Sequence, residues 1–213
     1  MDPMGTARYL GSAPLWSLWQ VQIRVTRYDV VIADPPWFYT VNPGMPGVST
    51  QTGAALQYDL MSDEDIFALP MRDRMEDKSV LFTWATCPKL DVAMKAIDAW
   101  GLQYRGISFI WIKTRADGVP WRAKGVRPSV VKPLTELVLV ASPKKTGRPL
   151  PLSSESVVQT VFACPGVHSA KPEEVQDRIE QLYPTASKLE MFARRQRPKW
   201  VCEGDELDNQ EAT

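Results

Sequence analysis

The stretch from Tyr28 to Trp37, YDVVIADPPW, constrains this chain more than any other. Val30 to Ala33 form a short apolar run rich in Val and Ile, the pattern of a buried central strand in a parallel sheet. Asp34 follows, then Pro35 and Pro36, which end sheet pairing because neither can donate a backbone hydrogen bond. The stretch therefore predicts a carboxylate, two stiff carbonyl-bearing residues and an indole at the carboxyl end of a strand. In open α/β sheets ligands bind at that end. The plainer alternative is a proline-rich turn with a capping Asp34 and a packed Trp37.

The rest of the chain fits such a sheet. Tyr104 to Ile112 and Leu134 to Ala141 read as strands, as do Ser79 to Trp84, Ser156 to Phe162 and Lys188 to Ala193; a further short strand is expected at Val21 to Val25. Ser62 is an N-cap candidate, with Asp63, Glu64 and Asp65 in the first turn of a short helix ending before Pro70. A second helix, opened by Thr86 or Pro88, runs to Trp100 and is ended by Gly101. A third begins near Pro172, with Val175, Ile179 and Leu182 on one face. Alternating strands and helices predict one α/β domain over 28–207, a Rossmann-like fold with a mostly parallel sheet and helices on both faces. Residues 1–27 read as an N-terminal arm and 208–213 as a flexible tail. Phe38 to Ala55, rich in Gly, Pro, Ser and Thr, reads as an active-site lid.

Composition excludes several classes. With 44% hydrophobic and 23% charged residues in 213, a globular soluble protein is expected. No run approaches a membrane span, and Met1 to Ser17 lacks the features of a signal peptide. Cys87, Cys164 and Cys202 lie far apart and there is one histidine, His168, so reduced thiols, a cytoplasmic location and no metal site are expected. Net charge is zero, yet Arg105 to Arg148 holds ten Lys or Arg against two acids, a balance of +8. Arg194, Arg195, Arg197 and Lys199 form a second cluster. Two readings stay open: a phosphate-binding surface, or solvated faces compensated by the acids between Asp59 and Asp77.

DPPW resembles the catalytic motif of amino-methyltransferases, and in this form that of the N6-adenine methyltransferases related to the eukaryotic mRNA adenosine methyltransferase. Further stretches match that family in order. Tyr58-Asp59-Leu60-Met61-Ser62 resembles its YxxMS segment, and Val80 to Trp84, Trp100-Gly101 and Trp111-Ile112-Lys113 resemble its strand–helix–strand block. Thr135-Glu136 resembles the start of its (T/H)E-strand. His168-Ser169 with Lys171-Pro172-Glu173 resembles HSxKPxE, Leu189 to Arg194 resembles ELFxR, and Trp200 with Gly204-Asp205-Glu206 resembles the closing W…GN(E/Q). Asp205 replaces the family's Asn, Ala193 its Gly, and Gly125 to Ser129 its glycine-rich aromatic segment.

This resemblance implies a circularly permuted motif order, with the catalytic strand before the cofactor strand. It implies methyl transfer from S-adenosylmethionine to the N6 amine of adenine, with Asp34, Pro35, Pro36 and Trp37 catalytic. Cofactor binding falls to Asp34, Ser169, Lys171, Glu190, Arg194, Asp205 and Glu206, with Lys171 meeting the methionine carboxylate. Trp37, expected to stack on the base, Tyr58, Trp84, Arg122, Lys124 and Arg127 are the substrate-binding candidates. His168 is expected to order its loop rather than act as a base. The partner implied is nucleic acid, DNA favoured over RNA in a bacterial or bacteriophage-type modification enzyme; a homodimer is compatible with this. The rivals are the same chemistry on RNA, an inactive nucleic-acid-binding partner subunit, and a small-molecule amine methyltransferase.

Overall fold

The apolar run after Arg27 pairs on both sides, which makes it the interior strand its composition demands. In the computed structural model, β1 (Tyr28–Ala33) lies parallel to β2 (Met75–Thr86) on one side and to β6 (Lys188–Met191) on the other. The structure describes residues 26–37, 61–120, 133–143, 150–166, 170–205 and 207. With β3 (Gln103–Lys113), β4 (Thr135–Ser142), β5 (Thr160–Ala163) and β7 (Val201–Glu203), they build a seven-stranded sheet ordered β5-β3-β4-β2-β1-β6-β7. Only β4 runs against its neighbours: β2 and β3 both pair with it antiparallel, and the other four pairings are parallel.

Alternation along β1 divides the core into two layers, because successive side chains point to opposite faces. Val31 and Ala33 pack with α1 (Asp63–Phe67) and α2 (Leu90–Ala99), through Ile66, Ala93 and Ile97. Val30 and Ile32 pack with α3 (Glu173–Leu182), through Val175 and Ile179. Helices thus cover both faces, as an α/β sheet requires. Among the described residues no helix is long and apolar enough to cross a membrane.

Local chemistry explains most boundaries. The Ser62 hydroxyl accepts from the Asp65 N–H at 3.1 Å and caps α1. Gly101, at φ +69°, takes the left-handed position that ends α2, with its N–H donating to the Asp98 carbonyl at 3.0 Å. Asp29 fixes the start of β6: its Oδ2 accepts from the Ser187 N–H at 2.9 Å and from the hydroxyl at 2.8 Å. α2 begins at Leu90, after a 3-10 turn over Cys87–Lys89, and Pro172 is the N-cap of α3 rather than part of its first turn. β5 is shorter than the run from Ser156 suggests. β7 and a 3-10 turn at Met71–Arg74 were not expected from the sequence. The expected arm, the strand at Val21 to Val25, the lid and the tail after 207 lie outside the described residues.

Candidate active site

The direction of β4 decides what meets Asp34. Parallel strands bring their carboxyl ends to one edge, and an antiparallel strand brings its amino end there. Glu136, second residue of β4, is therefore paired with Thr86 at the end of β2 and with Trp111 near the end of β3. Lys113 ends β3, Asp34 follows β1, and Lys171 precedes α3. The four form a continuous chain of charge. Lys171 Nζ lies 2.8 Å from Asp34 Oδ2 and 3.3 Å from Glu136 Oε2, and Lys113 Nζ lies 2.5 Å from Glu136 Oε1.

Both ammonium groups rest on indoles: Lys171 is 5.5 Å from the Trp84 ring centroid and Lys113 is 4.8 Å from that of Trp111. The two indoles meet edge to face at 6.2 Å, a favourable quadrupole arrangement. Burial alone would raise the Glu136 carboxyl, but the two lysine charges outweigh it and hold it below its ordinary value. Burial alone would lower the Lys171 ammonium, and the Asp34 and Glu136 charges outweigh that and raise it.

On the other side of Asp34 stands Glu190, on β6, in register with Ile32 of β1. Its Oε2 accepts from Gln176 Nε2 of α3 at 2.7 Å. Burial pushes this carboxyl above its ordinary value, and the nearby Asp34 charge adds to the effect. Asp34, Trp84, Lys171, Glu190 and Arg194 line one concave pocket between the ends of β1 and β6, together with Gln176 and Phe192. Phe192 adopts φ +62°, a sparsely populated region for a bulky residue. Held left-handed at the end of β6, it turns the chain sharply back beside the pocket. Gly204 braces that turn: a Cβ there would stand 2.2 Å from the Ala193 carbonyl oxygen, so only glycine fits.

The DPPW turn is internally tied. The Pro35 carbonyl accepts from the Trp37 N–H at 2.8 Å, a three-residue turn, and the Pro36 carbonyl accepts from Met61 N–H at 3.2 Å. Here the structure differs from expectation for Trp37. Its ring is 5% exposed, packed in the α1–α2 layer, and its Nε1–H donates to the Trp84 carbonyl at 3.2 Å. That is the position of a spacer fixing Asp34 against β2, not of an open stacking face. Trp84 is 3% exposed, at once core and pocket wall.

The model of the MT-A70 family matches residues 28–206. The chain belongs to that family. It is 28% identical over 198 residues to the type II methyltransferase M.MunI of a Mycoplasma species, covering 87% of this chain and 80% of that protein. It is 28% identical over 184 residues to the MT-A70-like N(6)-adenosine-methyltransferase of Drosophila melanogaster, and 24% identical over 184 residues to the human N(6)-adenosine-methyltransferase catalytic subunit METTL3. These last two matches cover 85% of this chain but 27% and 28% of those proteins. MT-A70 is a methyltransferase family, and the mixed, mostly parallel sheet agrees with a Rossmann-like methyltransferase fold.

Of the MT-A70 residues expected at the site, Asp34, Trp84, Lys171, Glu190 and Arg194 come together. Asp205 is exposed beyond β7 and does not line the pocket. Tyr58, Arg122, Lys124, Arg127, His168, Ser169 and Glu206 lie outside the described residues. The sequence reading missed the roles of Glu136, Lys113 and Gln176. An acid inside an otherwise apolar strand was the available signal for Glu136, since a charge there demands a partner. In the second basic cluster, Arg195 and Arg197 are compensated by acids of α3. Arg197 pairs with Asp177 at 2.5 Å and Glu180 at 2.8 Å, and Arg195 with Glu173 at 3.3 Å. Within the first cluster Lys113 pairs with Glu136, and Arg115 with Asp117. Among the described residues, His, Cys, Asp and Glu form no group able to hold a metal ion.

Proposed function

We propose that this chain transfers a methyl group from S-adenosylmethionine to the N6 amine of adenine in DNA. The observation that carries the reading is the convergence of Asp34, Lys171, Glu190 and Arg194 on one pocket at the strand ends. Those groups suit the cofactor's chemistry. Lys171 and Arg194 match a carboxylate, and Glu190, whose bonds from Gln176 and the Cys202 thiol both fall on Oε2 and leave acceptor capacity to spare, matches sugar hydroxyls. The cofactor supplies, when bound, a methyl group activated by its sulfonium, so the protein need only orient the acceptor nitrogen.

An exocyclic amine is a poor nucleophile because its lone pair is delocalised into the ring. Acceptors that take its two hydrogens favour the pyramidal nitrogen needed for attack. The Asp34 carboxylate is one. The Pro35 carbonyl is the other, since Trp37 N–H uses one of its two lone pairs and leaves the second. Trp37, buried and bonded to β2, keeps that carbonyl in place. The proton can leave through Asp34 after transfer. The DNA target is favoured because the type II methyltransferase is matched along most of both chains, and the adenosine-methyltransferases along about a quarter of theirs.

The test offers purified protein and labelled S-adenosylmethionine to duplex DNA, single-stranded DNA and RNA in turn, with product nucleosides identified by mass spectrometry. N6-methyladenine in DNA, absent with Asp34→Ala, is the expected result. Product in RNA alone moves the substrate to the adenosine-methyltransferase side. Cofactor binding without product in any arm points to a missing partner or an unmet target sequence, and no cofactor binding at all to a nonenzymatic binding subunit.

A further inference from the structure

Glu136 is held at one oxygen and under-used at the other. Its side chain is 7% exposed, and Lys113 grips Oε1. Oε2 is buried and has no aligned hydrogen-bond donor, although Lys171 Nζ stands only 3.3 Å away. Lys171 instead spends its close contact, 2.8 Å, on Asp34. One ammonium is thus shared between two carboxylates, tightly with one and loosely with the other.

An ammonium on Asp34 occupies lone-pair directions and draws away the negative charge that an incoming amine would use. A shift of about half an ångström would bring Lys171 within the 2.7–2.9 Å of a charge-assisted bond to Glu136 Oε2. It would remain paired throughout and remain over the Trp84 ring, so no bare buried charge is made. We infer that Glu136 is a positioning residue that receives Lys171 from Asp34, freeing Asp34 to accept the substrate amine. The inference rests on the proposed function for the identity of the amine. Lys113 makes the transfer workable: it anchors Glu136 on the side away from Lys171, so the receiving oxygen does not move. Glu136 touches neither ligand; it acts through Lys171.

Two measurements test this, one independent of activity. The first follows the lysine side-chain ammonium signals by 15N NMR in ligand-free protein. In Asp34→Asn the Lys171 signal should persist against solvent exchange, because Glu136 holds it; in the Asp34→Asn, Glu136→Gln double variant it should vanish. Loss already in Asp34→Asn overturns the inference. The second is kinetic, at saturating cofactor. Glu136→Gln should lower kcat on the order of tenfold, less than loss of a direct transition-state partner, with KM for DNA and cofactor Kd changed less than about twofold. In a Lys171→Met background the same change should have no further effect, the signature of coupled residues. Fully additive losses overturn it. Should Glu136→Gln not fold, Lys113→Met, Glu136→Gln removes one charge of each sign and carries the same expectation. A wild-type protein that methylates no nucleic acid would sink the proposed function, while the ammonium signals would still decide whether Glu136 receives Lys171.

Discussion

Asp34 stands between two glutamates, Glu136 buried and Glu190 half-buried, whose carboxyls are shifted in opposite directions. Glu136 lies between two ammonium groups and is held below its ordinary value; Glu190 has an amide donor, the Asp34 charge and the Arg195 and Arg197 charges for neighbours, and burial outweighs the arginines and pushes it above that value. Burial acts in the same sense on both. What differs is the strand that brings each one in. β4, entering the edge antiparallel, meets the lysines at the end of β3 and before α3; β6, parallel to β1, meets α3 through Gln176. The difference teaches that the partners delivered by topology set the state of a buried acid here. It also separates two roles: a permanent charge that organises lysines, and an acceptor with capacity in reserve for a ligand.

The largest break in this comparison removes Asp34, which touches both sides. Asp34→Ala should reduce methyl transfer on the order of 10²–10³-fold or more, the scale of losing one preorganised transition-state partner. Cofactor binding measured by calorimetry should change far less. In the same variant the Glu190 carboxyl, followed by 13C NMR, should titrate lower, because one of the charges raising it has gone. An unmoved Glu190 would mean that the two sides do not communicate through Asp34.

Next comes the stability of the lysine side. Glu136→Ala leaves Lys113 and Lys171 facing each other without their shared carboxylate, and removing one partner of a buried ion pair typically costs about 3–5 kcal/mol. Urea denaturation at pH 7 should register a loss of that order. Its pH dependence has a defined sign. A folded-state value depressed below 4.5 contributes stability that is fully present above pH 4.5 and is lost as pH falls through the depressed value. The gap between wild type and Glu136→Ala should therefore narrow on acidification. An exposed pair supplies the contrast: Lys95 and Asp91, 3.5 Å apart and two-thirds exposed, should yield at most about 0.5 kcal/mol on Lys95→Ala.

Which parts of this were legible follows the same logic. β1, the Ser62 cap and the Gly101 stop are written locally, in an apolar run, a hydroxyl and a residue that tolerates positive φ. β7 is not: Val201 to Glu203 is three residues of half-exposed edge strand, held by pairing to β6 and by Gly204 packed on Ala193. Asp34, Lys171, Glu190 and Arg194 were readable from motif order. Glu136 and Lys113 were readable as residues but not as neighbours, because the reversed direction of β4 is a property of the sheet. Trp37 shows the converse error. An aromatic beside a catalytic carboxylate suggests a stacking face, yet its indole N–H found the Trp84 carbonyl and its ring found the core.

The smallest effect is the most discriminating for the other side. Glu190 contributes stability fully below pH 4.5, where it is protonated folded or unfolded, and that contribution is lost as pH rises through its raised folded value. Glu190→Gln keeps the shape and an oxygen to accept from Gln176, but cannot ionise. Urea midpoints of wild type and Glu190→Gln should coincide near pH 4 and separate as pH rises, with the variant the more stable at pH 7. Saturating S-adenosylmethionine should then reverse the order, because a ligand that binds the native state adds stability that grows with the logarithm of its concentration over Kd, and the variant has lost the charged acceptor proposed for the ribose. A variant less stable than wild type at pH 7 without ligand would mean that nearby arginines already hold Glu190 as a structural ion pair. The two glutamates would then differ in degree rather than in kind.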